Sequence, residues 1–232
     1  MSWDFHRRGY HHGNLREALM QAALDLIADK GPSGFTFAEA ARSAGVSPAA
    51  PYRHFRDRDA LMAEVATRGF EKFAGELEQA WDQGRPDPQQ AFIRLGRAYL
   101  SFARSEPAHY SAMFESALPR TSYPGLDEAG RRAFDVLRAA SESICALLPK
   151  ERRPPELMMS LHIWSMAHGV ASLFGRGDAA RRKLPMSPED LLEAEVLIYL
   201  RGLGFPTDRR QTDQKPSGPP PVPPAGPWGA PK

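Results

Sequence analysis

The sequence predicts an all-α protein of about nine helices. Three observations carry that expectation. Apolar residues recur at three- and four-residue spacing through most of the chain, the period of an amphipathic helix. Capping residues and prolines stand where these stretches begin, and glycines where several of them end. No stretch shows a convincing strand pattern, and no internal repeat is present.

A first helix is expected over 14–30, where Leu15, Ala18, Leu19, Ala22, Ala23, Leu26 and Ile27 share a face. Asn14 with Glu17 has the spacing of a capping box, and Gly31-Pro32 stops the helix. Thr36 with Glu39 repeats that spacing and opens a short alanine-rich helix to about Ala44. Gly45 breaks it. Ser47-Pro48 reads as the cap and first residue of a third short helix. Asp57 caps a longer fourth helix with Leu61, Val65, Gly69, Phe73, Leu77 and Trp81 on one side.

A turn at Gln83-Gly84-Arg85-Pro86 leads to a helix from Asp87-Pro88 to about Arg104, whose inward face carries Phe92, Leu95, Tyr99 and Phe102. Pro107 starts a short helix through Phe114, and another is expected over 127–148. Pro154-Pro155 introduces the most apolar helix, about 156–175. A basic loop, Asp178 to Pro185, separates it from a last helix that Ser187-Pro188 opens and Gly202-Leu203-Gly204 closes.

Composition narrows the function. The chain has 232 residues, enough for one or two domains with a sizeable core. Its net charge is +2, and residues 1–60 hold eight Lys and Arg against seven Asp and Glu, so bulk charge announces no nucleic-acid binder. The single cysteine, Cys145, excludes an internal disulfide and argues against a cysteine-built zinc site; no cofactor is expected. No run of about 18 apolar residues is seen, so no membrane span is expected. The N-terminus lacks an apolar signal core, and a cytoplasmic protein is expected. Of 22 prolines, eight fall in the last 18 residues, and 206–232 is read as a disordered, partly polyproline-II tail. Such a tail is an inert end or a ligand for a proline-recognising partner.

Two short helices joined at Ala44-Gly45-Val46 read as a helix-turn-helix, with Gly45 permitting a positive φ and Ala40, Ala41 and Ala44 permitting close approach. The residues say more: Tyr10-His11-His12-Gly13-Asn14-Leu15-Arg16, Ala22 to Gly31, Phe35 to Ala41, Ala44-Gly45-Val46-Ser47-Pro48, Tyr52-Arg53-His54-Phe55, then Arg58 and Leu61. Over about 10–70 this resembles the DNA-binding domain of the TetR family of bacterial transcriptional regulators. Trp164-Ser165-Met166-Ala167-His168-Gly169 is similar to a tryptophan-histidine-glycine motif in the ligand-binding domains of one TetR subgroup.

The resemblance implies roles for named residues. Thr36 would contact a phosphate at a helix start. Ser47, Pro48, Ala49 and Ala50 would begin a recognition helix, whose methyls suit thymine and whose hydroxyl suits a base or phosphate. Tyr52 and His54 would reach phosphates, Arg53 a base edge or phosphate, and Arg58 a phosphate. Phe55 would plug the core, and Arg7, Arg8, His11 and His12 would lie along the backbone of the duplex. Pro51 departs from the apolar, often leucine, residue that the family commonly has there. It removes the N–H that would close the first turn on Ser47.

Residues 1–60 are expected to form the DNA-binding domain, 61–205 a helical ligand-binding and dimerisation domain. Trp164 and His168, four apart on one face, would line a pocket with Tyr110. The two apolar helices over 156–175 and 189–203 would pair with those of a second copy. The function implied is a ligand-responsive regulator, a repressor by family habit, binding a palindromic operator in double-stranded DNA as a homodimer and released by a small-molecule effector. Two other readings are an all-α enzyme centred on His109, His162 and His168, and a regulator whose proline-rich tail recruits a partner.

Overall fold

The computed structural model describes residues 15–175 and 185–205. Among them are eight α-helices: α1 (Leu15–Lys30), α2 (Phe37–Ser43), α3 (Arg58–Trp81), α4 (Pro88–Ser105), α5 (Pro107–Glu115), α6 (Pro124–Ala146), α7 (Glu156–Gly175) and α8 (Pro188–Gly202). Short 3-10 turns connect several of them, and no strand occurs among the described residues. Residues 1–14, with Arg7, Arg8, His11, His12 and Asn14, lie outside this range. So do most of the basic loop and the proline-rich stretch after Phe205.

The caps form as the spacing requires. Thr36 Oγ1 accepts from the Glu39 N–H at 3.2 Å while the Glu39 carboxylate accepts from the Thr36 N–H at 2.8 Å. Asp57 accepts from Ala60 N–H at 2.8 Å, Asp87 from Gln90 N–H at 3.1 Å, and Ser187 from Asp190 N–H at 3.0 Å. Each such cap satisfies an otherwise orphaned donor, worth about 1 kcal/mol. Gly45 closes α2 at φ 72°, with Val46 N–H reaching back to the Ala41 carbonyl at 3.0 Å. Pro124 moves the start of α6 three residues ahead of its expected position, since its fixed φ suits a first helical turn.

One element departs from expectation. The third short helix is not α-helical: Ala50–Arg53 form a 3-10 turn between the α-helices on either side, so eight of the nine expected helices appear as α-helices among the described residues. Proline at 48 and 51 supplies no N–H, and the turn closes instead through Ala50 N–H to Ser47 carbonyl (3.0 Å) and His54 N–H to Pro51 carbonyl (2.9 Å). Ser47 therefore serves the turn through its backbone carbonyl. The Pro51 ring is fully buried and fills the apolar position itself.

α3 is the spine. Its first turns share a core with α1, α2 and the turn: Leu19, Ile27, Phe35, Phe55 and Leu61 are all buried. Its later turns pack on α4, α5 and α6. At Gly69 the α3 and α5 backbones come close: a β-carbon would lie 2.8 Å from Met113 Sδ. Glu17 pairs with Arg68, and that partner holds its carboxyl below the usual range, while the cap expected with Asn14 lies outside the described residues. Arg16 meets Glu64 at 2.8 Å, and Lys72 meets Glu106, so charged pairs tie the first helix and α5 to the spine. Over Glu156–Phe174, α7 is long and apolar enough to cross a membrane by length and composition, though the sequence holds no unbroken run of about 18 apolar residues there. Its Met159, Ile163, Ala167 and Val170 are buried within this fold, while 33% of the whole stretch is buried.

Candidate DNA-contacting face and buried cavity

The helix-turn-helix leaves one face of polar and small residues in solvent. Thr36, Ser47, Pro48, Ala49, Tyr52, Arg53 and His54 are exposed, and Ala50 is half-buried. Two buried neighbours in the sequence, Pro51 and Phe55, fix this display. With both turned inward, the three residues between them are forced out. Tyr52 is 63% exposed and stands edge-on against Phe37, with ring centroids 5.1 Å apart. Phe55 does plug the core, and the Arg16 guanidinium lies over its ring at 5.1 Å.

Arg58 is placed differently from its neighbours. Its guanidinium turns inward, donating from Nε to the Phe35 carbonyl at 2.9 Å and also to the Pro32 carbonyl. The group lies 4.7 Å above the Phe35 ring, and its remaining nitrogen meets Asp59. Arg58 thus ties the α1–α2 loop to α3 instead of standing free for a phosphate. Thr36 is also partly engaged, since its hydroxyl serves Glu39, whose carboxyl is pulled down to about 2 by the Lys30 ammonium and by the Thr36 N–H and hydroxyl.

The second site is a cavity of about 470 Å³ among α3, α4, α6, α7 and α8, within the ordinary range of small-molecule sites. Its walls are mainly apolar: Phe70, Phe73 and Leu77 from α3, Phe92 and Leu95 from α4, Phe134 from α6 and Trp164 from α7. Tyr110, Trp164 and His168 do come together. The Tyr110 and His168 rings stack at 5.7 Å, and Trp164 is 6.0 Å from His168. Of the three, Trp164 lines the cavity wall, while Tyr110 and His168 stand behind Tyr99.

His168 Nδ1 lies 2.7 Å from the Tyr110 hydroxyl and 3.0 Å from that of Tyr99, and the two hydroxyls are 3.3 Å apart. Burial lowers the His168 pKa, pushes the Tyr110 hydroxyl up to about 12 and raises that of Tyr99 well above its usual range. All three groups are therefore neutral near pH 7, and a neutral imidazole whose Nδ1 accepts a hydrogen bond from a phenol O–H fits these distances. The other histidines engage elsewhere: His109 with Glu106 at 2.9 Å and His162 with Tyr199 at 3.2 Å. Among the described residues no group of three His, Cys, Asp or Glu side chains is arranged to hold a metal.

Two cavity residues escape sequence reasoning. Tyr99 reads as a plain member of an inward apolar face. Arg120 sits in a looser segment before α6 with no periodicity to mark it, yet its guanidinium lies over Phe70 at 4.9 Å and lines the cavity.

Similarity to known proteins follows the same two-part division. The model described as "Bacterial regulatory proteins, tetR family" matches residues 19–65, and "Tetracyclin repressor-like, C-terminal domain" matches 92–199, together about two thirds of the chain. The HTH-type transcriptional regulator BetI of Rhizobium meliloti is 45% identical over 104 residues, and the uncharacterised HTH-type regulator YobS of Bacillus subtilis is 27% identical over 100 residues. These matches take in 44% and 43% of this chain, and the chain spans about half the length of each relative, 51% in both cases. A solved structure of a protein of unknown function from Rhodococcus sp. RHA1 is 28% identical with a TM-score of 0.69, covering 84% of this chain and 98% of that one. The TetR family transcriptional regulator PfmR of Thermus thermophilus shares the fold at 19% identity and a TM-score of 0.61, over 80% of this chain and 95% of its own. A helix-turn-helix head on a continuous helical spine, matched by both halves of one family's description, places the chain in the TetR family of bacterial transcriptional regulators.

Proposed function

We propose that this chain is a cytoplasmic transcriptional regulator, a repressor that binds a palindromic operator as a homodimer and is released by a small-molecule effector. The observation that carries the proposal is the exposed row Tyr52, Arg53 and His54, displayed between the buried anchors Pro51 and Phe55. A cation, a phenol and an imidazole raised from a small turn are the groups that meet phosphates and base edges. Ser47, Pro48, Ala49 and Ala50 extend that face with a hydroxyl and methyl groups, and Thr36 adds a hydroxyl. Net charge near zero is no obstacle, because contact geometry rather than bulk charge sets register on the duplex.

Dimerisation is supported by apolar side chains that α7 and α8 leave in solvent. Leu157, Met158 and Leu173 on α7 and Ile198 on α8 are 47–69% exposed, a cost that a partner surface would remove. Two heads related by a two-fold axis would then address successive major grooves about one helical turn apart. Effector action needs the ligand to favour the state whose heads do not match that spacing. The cavity supports this, because Phe70, Phe73 and Leu77 in its wall belong to the same helix whose first residue, Arg58, holds the loop of the head.

The test is a mobility shift with DNA flanking the chain's own gene. Tyr52→Ala and Arg53→Ala should each weaken binding about tenfold or more. Unaltered binding in both would remove the assigned face.

A further inference from the structure

The cavity wall carries one guanidinium without a carboxylate partner. Five charged side chains line it: Arg120, Arg131 and Arg138 with Asp127 and Asp135. Arg131 pairs with Asp127 at 3.2 Å, and Arg138 reaches Asp135 at 3.8 Å and Glu156 at 3.6 Å. Arg120 makes no ion pair among the described residues. Its guanidinium is nonetheless held in place. It lies over the Phe70 ring, and a β-carbon at Gly130 would come within 1.4 Å of its Nη2, so the missing side chain of α6 is what makes room for it. Arg120 is exposed and lines the cavity, which sets it where the apolar chamber meets solvent.

We infer that the cavity takes an organic monocarboxylate with an apolar body, its carboxylate on Arg120 and its body among Phe70, Phe73, Phe134 and Trp164; this rests on reading the cavity as the effector site. A guanidinium offers two parallel donors that match a carboxylate. One unpaired guanidinium is matched by one carboxylate. A phosphate monoester would bring nearly a second charge beside Asp127 and Asp135, which repels it. On its far side the chamber is walled by Tyr99, backed by Tyr110 and His168, all three uncharged near pH 7, with the Glu115 carboxylate acting on Tyr110 and His168 from behind them. That suits an apolar body with at most a hydrogen-bonding tip. The charge sits at the wet end and the apolar surface in the dry end, so neither part of an amphiphilic acid loses its preferred surroundings.

The probes are decanoate, decanol and decyl phosphate, titrated calorimetrically into the full chain. Decanoate should bind at least tenfold more tightly than either of the others. Arg120→Gln should abolish that preference while leaving decanol affinity within about twofold. Gly130→Ala is the second variant: alanine favours the helix, so the fold should stand, yet the methyl displaces the guanidinium and should also shrink the preference. Equal binding of decanoate and decanol to the wild type, or a preference unchanged in Arg120→Gln, overturns the inference and leaves the cavity as a neutral-ligand site. Tighter binding of decyl phosphate overturns it in favour of a dianion. Failure of all three probes to bind overturns both the acid preference and the effector reading of the cavity, while the DNA face remains judged by the mobility shift alone.

Discussion

Arg58 satisfies the carbonyls of both Pro32 and Phe35 and covers the Phe35 ring, so its removal leaves two acceptors of the head short of donors. Arg58→Met should lower head stability by about 1–3 kcal/mol in urea unfolding. Arg56→Met removes an exposed pair with Asp57 and should change it by less than about 1 kcal/mol. His168 gives a pH signature. Burial lowers its folded pKa below the unfolded value of about 6.5, so the unfolded chain binds the proton more readily. Stability then holds above that unfolded value and falls as pH drops through it. Thermal melts between pH 5 and pH 8 should show this decline, and His168→Gln should flatten it. Glu39 has the same sign further down: its stabilisation is present above about 4.5 and is lost toward its folded value of about 2. At this scale the sequence told much, because caps such as Thr36–Glu39 are local chemistry. It did not tell which way Arg58 turns, since the carbonyls it meets are 23 and 26 residues away.

Helical periodicity located all eight described α-helices to within three residues at either end, because most have a cap or a proline at their start and an apolar stripe to bury. The recognition segment is where that logic broke. A serine before a proline looks like a helix cap, and only the second proline, Pro51, says that the first α-turn cannot close. The element that results is tighter and shorter, and its display depends on burying Pro51 and Phe55 together. Pro51→Ala would cut a fully buried ring to a methyl and restore an N–H. The head should lose about 1–2 kcal/mol through the cavity left behind, with DNA affinity reduced in the mobility shift as Tyr52 and Arg53 lose their anchor. Packing between elements offers a second check. Gly69→Ala puts a methyl 2.8 Å from Met113 Sδ where α3 meets α5. Overpacking of this kind should cost about 1–3 kcal/mol unless the thioether swings aside, which thermal melts of the variant with and without Met113→Ala would separate. Close approaches of this sort, like the cavity role of Arg120, depend on residues far apart in the chain and leave no local pattern to read.

For the molecule as a whole, the exposed apolar side chains of α7 and α8 predict a second copy. Sedimentation velocity should report a dimer at micromolar concentration. Leu173→Glu with Ile198→Glu, both now in solvent at 58% and 69% exposure, should yield monomers with an unchanged helical spectrum and far weaker operator binding. α3 would give such a dimer a mechanical property. It is a single unbroken rod of 24 residues, about 36 Å long at 1.5 Å per residue, with cavity wall on its later turns and the head's anchor at its first residue. In the proposed regulator it would work as a lever arm. Pivoting it by about 5° at the Trp81 end would sweep the Arg58 end through about 3 Å. In a two-fold pair the opposing sweeps add to about 6 Å, set against a repeat of about 34 Å between successive grooves. A displacement too small to disturb any helix would be enough to take both reading heads out of register with the DNA.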